Sequence, residues 1–305
     1  MNDAPTLYRR FAFTATVLSL IAALLRTPAL CLFFDRTVGY CDPNAFSTLL
    51  YIVIALFLLA CAAYAILAAK CEKKQQLALA PDVTSQASIL RIASLLTSLV
   101  FLVVAVWEIA STTTISYPAL LRLLGAALAM IYFAARNKQV LMWLGLGVHV
   151  YCIFVLVTEY FDWTIPMNSP LKIMQQTAMI ALLLFITVEL NHLNNTRRSI
   201  RYTVCAALAA FFGCANGLSL IAAYLAGGIV RTDILFHSLP TLAIALYAIA
   251  RLFTPHTVNI TAEDLKAPDV ADEGQQPTGE ASEQAPPVPD APDTQPPETT
   301  SEEED

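Results

Sequence analysis

Eight long apolar runs divide the chain, at about 11–34, 46–69, 89–110, 115–135, 139–160, 171–190, 201–225 and 235–254. Each holds roughly 20 residues or more, enough to cross a ~30 Å hydrocarbon core at ~1.5 Å per helical residue. The runs are continuous and rich in Ala and Leu, without the strict alternation and ~10-residue length of barrel strands. In lipid, a crossing segment has to satisfy its backbone groups within itself, which requires helix. The pattern predicts an all-α fold, a polytopic transmembrane bundle of eight helices. The connections are short except for 70–88, which is polar and is expected to be partly helical.

Lys and Arg alternate between the two sets of connections. One set carries Arg9 and Arg10; Lys70, Lys73, Lys74 and Arg91; Arg136 and Lys138; Arg197, Arg198 and Arg201; and Arg251. The other carries only Arg36, Lys172 and Arg231. Cytoplasmic loops hold the excess of basic residues, so a multi-pass protein of the plasma (cytoplasmic) membrane with both termini cytoplasmic is expected. The first run has no clear A-x-A site and is too long for a signal segment, so it is read as a retained span.

Composition sharpens the boundary at the C-terminal end. The chain is 57% hydrophobic and 14% charged, with mean hydropathy +0.59, against about 25% charged residues in soluble domains. Its net charge of −6 averages two unlike regions. Residues 255–305 hold 14 of the 24 acids and one of the 18 bases, leaving 1–254 with 10 acids and 17 bases. The expected organisation is a membrane domain over 1–254 and a disordered, Pro/Glu/Asp-rich cytoplasmic tail over 255–305, too poor in apolar residues to offset its ordering entropy.

One motif recurs. Phe34-Asp35-Arg36-Thr37-Val38 ends the first run, and Phe161-Asp162-Trp163-Thr164-Ile165 ends the fifth, 127 residues later. A proline follows each at the same offset, Pro43 and Pro170. Read as a duplication, this predicts two parallel four-helix halves, 1–135 and 139–254, related by an axis along the membrane normal. The hairpins at 11–69 and 139–190 would then superpose, with Asp35 and Asp162 as rim carboxylates at matching depth. The plainer reading is two ordinary interfacial turns.

Ionisable residues inside spans are costly and mark functional candidates. Glu108 and Arg122 lie equally far from the turn between the third and fourth runs, so an antiparallel hairpin sets them at one depth. Glu159 and Lys172 flank the fifth-to-sixth turn in the same way. Two acid–base pairs are expected near the outer face, as structural ion pairs or as the walls of a polar vestibule. Arg26 lies ~22 Å into the first run, two residues before Pro28, which removes a backbone donor. It reads either as an unpaired cation at a broken helix or as a side chain that snorkels or pairs with Glu108, Glu159 or Asp162. His149 sits near the middle of the fifth run, as a proton relay or as a hydrogen-bonding neighbour of another helix. Glu189 and His192 close the sixth run and read as interface anchors. Gly213, Asn216 and Gly217 form a GxxxG stripe with an amide inside it, suited to close helix packing within the bundle or between protomers. Cys31 and Cys41 both fall near the outer surface, placed for a disulfide or as small filler.

No Walker A, H-E-x-x-H or G-x-S-x-G motif is present, the four His are scattered, and the seven Cys form no C-x-x-C. No catalytic residue, metal site or cofactor is therefore expected, and the chain leans away from being an enzyme. The basic residues lie where topology requires them and give no sign of nucleic-acid binding. The expected partners are the lipid bilayer and a second copy or partner membrane subunit. Two function classes remain: a small-molecule transporter or permease subunit built around Arg26, Glu108, Arg122, His149, Glu159 and Lys172, or a non-transporting sensor, scaffold or assembly module signalling through cytoplasmic loops and tail.

Overall fold

The computed structural model describes residues 4–35, 39–75, 77–81, 87–111, 117–135, 137–194, 199–228 and 232–259. It contains eight helices: α1 (Ala4–Leu32), α2 (Ala45–Gln75), α3 (Ser88–Ser111), α4 (Tyr117–Ala134), α5 (Lys138–Tyr160), α6 (Pro170–Asn194), α7 (Ser199–Leu225) and α8 (Thr232–Leu252). Each includes a segment long and apolar enough to cross a membrane. The expected eight-span, all-helical architecture is the one observed.

Local chemistry sets the helix ends. The Asn137 side chain accepts from Gln139 N at 3.0 Å and opens α5. Asn44 does the same for Ser47 N at 2.8 Å ahead of α2. Such side chains replace the missing acceptors of a first turn. Pro170 occupies the first position of α6, where its missing N–H costs nothing. α7 stops at Gly227, φ +73, with Gly228 N donating to Ala223 O (2.7 Å) and Gly227 N to Tyr224 O (3.0 Å). This is a Schellman ending, which needs a residue at ease in the left-handed region.

Helices α3, α4, α5, α6, α7 and α8 pack in a closed ring in that order, with α3 returning to α8. α1 lies outside the ring along α7, and α2 lies against α1. Burial agrees with this placement: 72% of the most apolar window of α7 is buried, against 22% for α2, which leaves most of its surface exposed. Hydroxyls stitch the ring across neighbours, with Thr97 Oγ1 donating to Ala243 O (3.0 Å) and Ser98 Oγ to Met130 O (2.8 Å). The middle of the ring is filled by aromatics: Phe101 lies edge-on to Tyr151 and stacks on Phe133, and Phe133 meets Tyr247 edge-on.

Two small sheets supplement the helices. β1 (Phe34–Asp35) pairs with β2 (Tyr40–Cys41) between α1 and α2. β3 (Leu77–Pro81) pairs antiparallel with β4 (Pro255–Asn259), from Leu77↔Asn259 to Pro81↔Pro255. This second pair meets one expectation and corrects another. The α2–α3 connection is partly helical, as expected, since α2 runs on to Gln75, and the strand β3 follows it. Residues 255–259, expected within the tail, form a strand. Hydrogen-bonded partners brought in from the far end of the chain outweigh the weak local preference of either segment. Residues 260–305, which hold most of the expected tail, lie outside the described residues, as do Arg36, Arg136, Arg197, Arg198 and Arg231.

The two-half repeat is not reflected in helix neighbours. A 127-residue shift maps α1 and α7 onto α5 and α3. α1 packs closely along α7, whereas the principal neighbours of α3 are α4 and α8. The two motif copies also fold differently. Asp35 sits in the β1–β2 pair opposite Tyr40. Asp162 makes a turn in which its Oδ1 accepts from Thr164 N (2.9 Å) and Thr164 Oγ1 (2.5 Å). The duplication reading is therefore set aside, because helix rotation and neighbour choice follow whole-helix packing and not a few shared turn residues.

Candidate functional site

At the end of the ring where α3 and α5 finish and α4, α6 and α8 begin, five helices surround a cavity of about 340 Å³. Its polar lining includes Glu108 (α3), Arg122 (α4), Glu159 (α5), Lys172 and Gln175 (α6) and His237 (α8), with Asp162 at the α5–α6 connection. Ile165, Leu171, Ile234 and Trp107 supply apolar wall. Trp107 is held by stacking on Phe236, ring centroids 4.0 Å apart.

The Glu108–Arg122 pair forms as its equal spacing from the turn predicts. Arg122 Nε approaches Glu108 Oε1 at 3.0 Å, and Nη2 donates to Oε2 at 3.2 Å. The second expected pair does not form. Lys172 donates to the carbonyls of Tyr160 and Asp162, both at 3.0 Å, so its ammonium caps the C-terminal end of α5, where helix carbonyls are left unpaired. Glu159 instead receives the Gln175 amide on Oε1 and faces His237. Equal depth brought Glu159 and Lys172 to one level but could not set the rotation of either helix.

His237 joins the two halves of the cluster. Its Nε2 lies 3.7 Å from Glu108 Oε1 and its Nδ1 3.6 Å from Glu159 Oε1, so opposite ring nitrogens face two carboxylates. Neither His237 nor Gln175 was among the residues picked out from the sequence. His237 sits in the second turn of α8, near the same end of the bundle as Glu108, Arg122 and Glu159. Counting depth across the fourth hairpin, as was done for the second and third, would have found it.

Arg26 is apart from this cavity. α1 runs unbroken through Pro28, so the expected helix break is absent. The guanidinium is buried and does not pair with Glu108, Glu159 or Asp162. Its Nη1 donates to Asn216 Oδ1 (2.7 Å), Ser219 Oγ (3.2 Å) and Ala215 O (3.4 Å) on α7. Asn216 thus belongs to a polar lock between α1 and α7. Gly213 and Gly217 face another way. A Cβ on Gly213 would meet Thr241 O at 2.8 Å, and one on Gly217 would meet Leu242 Cβ at 2.6 Å. The GxxxG stripe is therefore spent inside the bundle, against α8. His149 also has a local role: Nδ1 lies 3.0 Å from Gly145 O and Nε2 2.9 Å from Thr187 Oγ1, tying α5 to α6. Cys31 and Cys41 carry free thiols, and burial pushes the Cys41 thiol up.

A second polar network lies at the opposite end of the ring. Arg251 Nη2 pairs with Glu189 Oε1 at 2.9 Å. Tyr247 OH donates to the same oxygen at 2.7 Å and accepts from Arg251 Nε at 2.9 Å. Glu189 is therefore a buried ion-pair partner and not an interface anchor. The aromatic layer around Phe101, Phe133 and Tyr151 separates this network from the cavity. His237 and Arg251 are 14 positions apart on α8, about 21 Å at helical rise.

Among the described residues, no group of three or more His, Cys, Asp or Glu side chains is placed to hold a metal ion. Comparisons with known protein families, characterised proteins and solved structures found no match. Fold and site together define the class: an integral membrane protein of eight apolar helices, with a charged cavity set among five of them.

Proposed function

We propose that this chain is a membrane transport protein or permease subunit for a small polar solute, with the five-helix cavity as its solute site. One observation carries the reading: side chains from five helices, two carboxylates, a guanidinium, an amide and an imidazole, converge on one cavity. An ionisable residue costs about 2.5–3.5 kcal/mol at the centre of a span on insertion scales and less toward its ends, where these residues lie. A bundle that served only as an anchor would be cheaper with apolar residues at these positions. The aromatic layer below the cavity fits a carrier resting with its site open to one side, since alternating access requires the other side to be shut. The distribution of Lys and Arg supports a cytoplasmic-membrane location with both termini inside, so the cavity faces outward into the non-cytoplasmic compartment. Lipid is the principal partner, and α2, the most exposed helix, offers the broadest surface to it.

The test is solute-driven charge movement or uptake in proteoliposomes, with Glu159→Gln and Arg122→Gln beside wild type and with lipid-facing Leu184→Ala as a control. Transport should fall at least tenfold in the two cavity variants and stay unchanged in the control. Transport that survives both cavity substitutions refutes the assignment. A second reading, a sensor, draws on the β3–β4 pair, which couples the α2–α3 connection to the segment that follows α8. It predicts solute binding without flux.

A further inference from the structure

We propose that the cavity takes one small organic cation, an alkyl- or arylammonium ion, at Glu159, in competition with protonation of His237. This rests on the cavity being a solute site, as proposed above, but it concerns which chemistry the site selects.

The lining holds three carboxylates, Glu108, Glu159 and Asp162, against two permanent cations, Arg122 and Lys172. Both cations are committed. Arg122 is paired with Glu108 at 3.0 and 3.2 Å. Lys172 places its ammonium on two backbone carbonyls. Glu159 is left with an amide from Gln175 and the imidazole as its described neighbours. Its Oε2 is buried and has no hydrogen-bond partner among the described residues. The Thr158 hydroxyl is turned to the Phe154 and Val155 carbonyls of its own helix. The site therefore offers a free acceptor, while its charged donors are engaged, which suits an ammonium and not a carboxylate or phosphate.

Charge counting sets the competition. With a neutral imidazole, the described lining groups sum to one negative charge; with an imidazolium they sum to zero. A bound monovalent cation also brings the sum to zero. Holding both leaves an excess positive charge in a low-dielectric site, where like charges a few ångströms apart repel strongly. The charged groups that line the cavity with His237 come from several elements: Glu108 from α3, Arg122 from α4, Glu159 from α5, Lys172 from α6 and Asp162 from the α5–α6 connection. α7, also packed on α8, brings only Cys214 and Tyr224 as titratable side chains in its outer half, and Arg26 of α1 is engaged by Asn216. Ile165, Leu171, Ile234 and Trp107 would cover the apolar part of such a ligand. The volume, near the lower end of ligand pockets, limits it to a compact molecule.

The experiment is calorimetric titration of the purified protein in detergent with n-butylammonium and phenethylammonium, and with butyrate as the anionic counterpart, at about pH 6 and about pH 9. At least one ammonium should bind at the higher pH, and at least tenfold more weakly at the lower pH, since competitive protonation costs up to tenfold per pH unit. Glu159→Gln should abolish the heat, which also removes micelle partitioning as its source. His237→Gln should bind with little pH dependence. Wild type alone supplies a further check where that variant fails to fold. Binding at a pH where the imidazole is protonated should release a proton, seen as a heat that varies with the ionisation enthalpy of the buffer. Butyrate binding in place of the ammonium ions, no ammonium binding, equal affinity at both pH values, or no proton release overturns the inference. Ammonium binding without flux would leave it standing and overturn the transport reading instead; flux of some solute with no ammonium binding would do the reverse.

Discussion

The Glu189–Tyr247–Arg251 network supports a quantitative prediction. Arg251 and Glu189 approach to 2.9 Å with side chains 5% and 0% exposed, and Tyr247 bridges them at 2.7 and 2.9 Å. At an effective dielectric near 20, unit charges at that separation attract by about 6 kcal/mol. Much of this repays desolvation, but removing one partner leaves the other charge buried and typically costs about 3–5 kcal/mol. A neutral interhelical hydrogen bond in a membrane protein averages only about 0.6 kcal/mol. The two cases differ enough for a double-mutant cycle to separate them. Glu189→Gln and Arg251→Met should each destabilise by about 3 kcal/mol, and the double variant by about as much as either one, giving a coupling near 3 kcal/mol. Unfolding by SDS titration in mixed micelles, followed by tryptophan fluorescence, measures it. Trp107, stacked on Phe236 of α8, reports directly on the ring. A coupling below about 1 kcal/mol would refute the reasoning and reduce the network to ordinary polar packing.

Three further outcomes follow from packing. Asn216→Leu should cost more than Arg26→Met, about 3 against about 1 kcal/mol in the same titration, because the first takes the shortest acceptor from a buried guanidinium and leaves it only Ser219 Oγ and Ala215 O, whereas the second deprives only a buried amide. Gly125→Ala should cost about 1–3 kcal/mol, since the new methyl would lie 2.6 Å from Tyr151 N and 2.8 Å from its Cα, backbone that cannot move alone; unchanged stability would show that α4 and α5 are farther apart. In a cysteine-free background, Leu79→Cys with Thr257→Cys should cross-link under mild oxidation, because those residues are cross-strand partners, while Leu79→Cys with His256→Cys should not, since a one-residue shift places the thiol on the other face of the strand. Gel mobility before and after reduction reads both.

The number of long apolar helices, their approximate extents and the distance of each charge from its connecting turn were legible from the chain alone. Apolar runs counted the helices, Pro170 stood at the start of the sixth, and equal distance from a turn paired Glu108 with Arg122. These properties are local, set by hydropathy, capping chemistry and a fixed rise per residue. The same counting placed Glu159 level with Lys172 but could not turn either helix about its axis. In the structure, Lys172 caps α5 and Glu159 meets His237.

Helix rotation and neighbour choice were decided only in the tertiary structure. A membrane helix is apolar toward lipid and toward its neighbours alike, so no amphipathic stripe points to the core as it would in water. The same limit hid which helix the GxxxG stripe faces and which acceptor takes Arg26. It also made the recurring Phe-Asp-x-Thr motif look like a duplication. The β3–β4 pair joins segments at residues 77 and 259, and no local pattern encodes a contact across such a separation. The sequence by itself determined that eight helices are long and apolar enough to cross a membrane and how far their charges lie from the connecting turns; packing decided which charges meet around a cavity and which merely hold the bundle together.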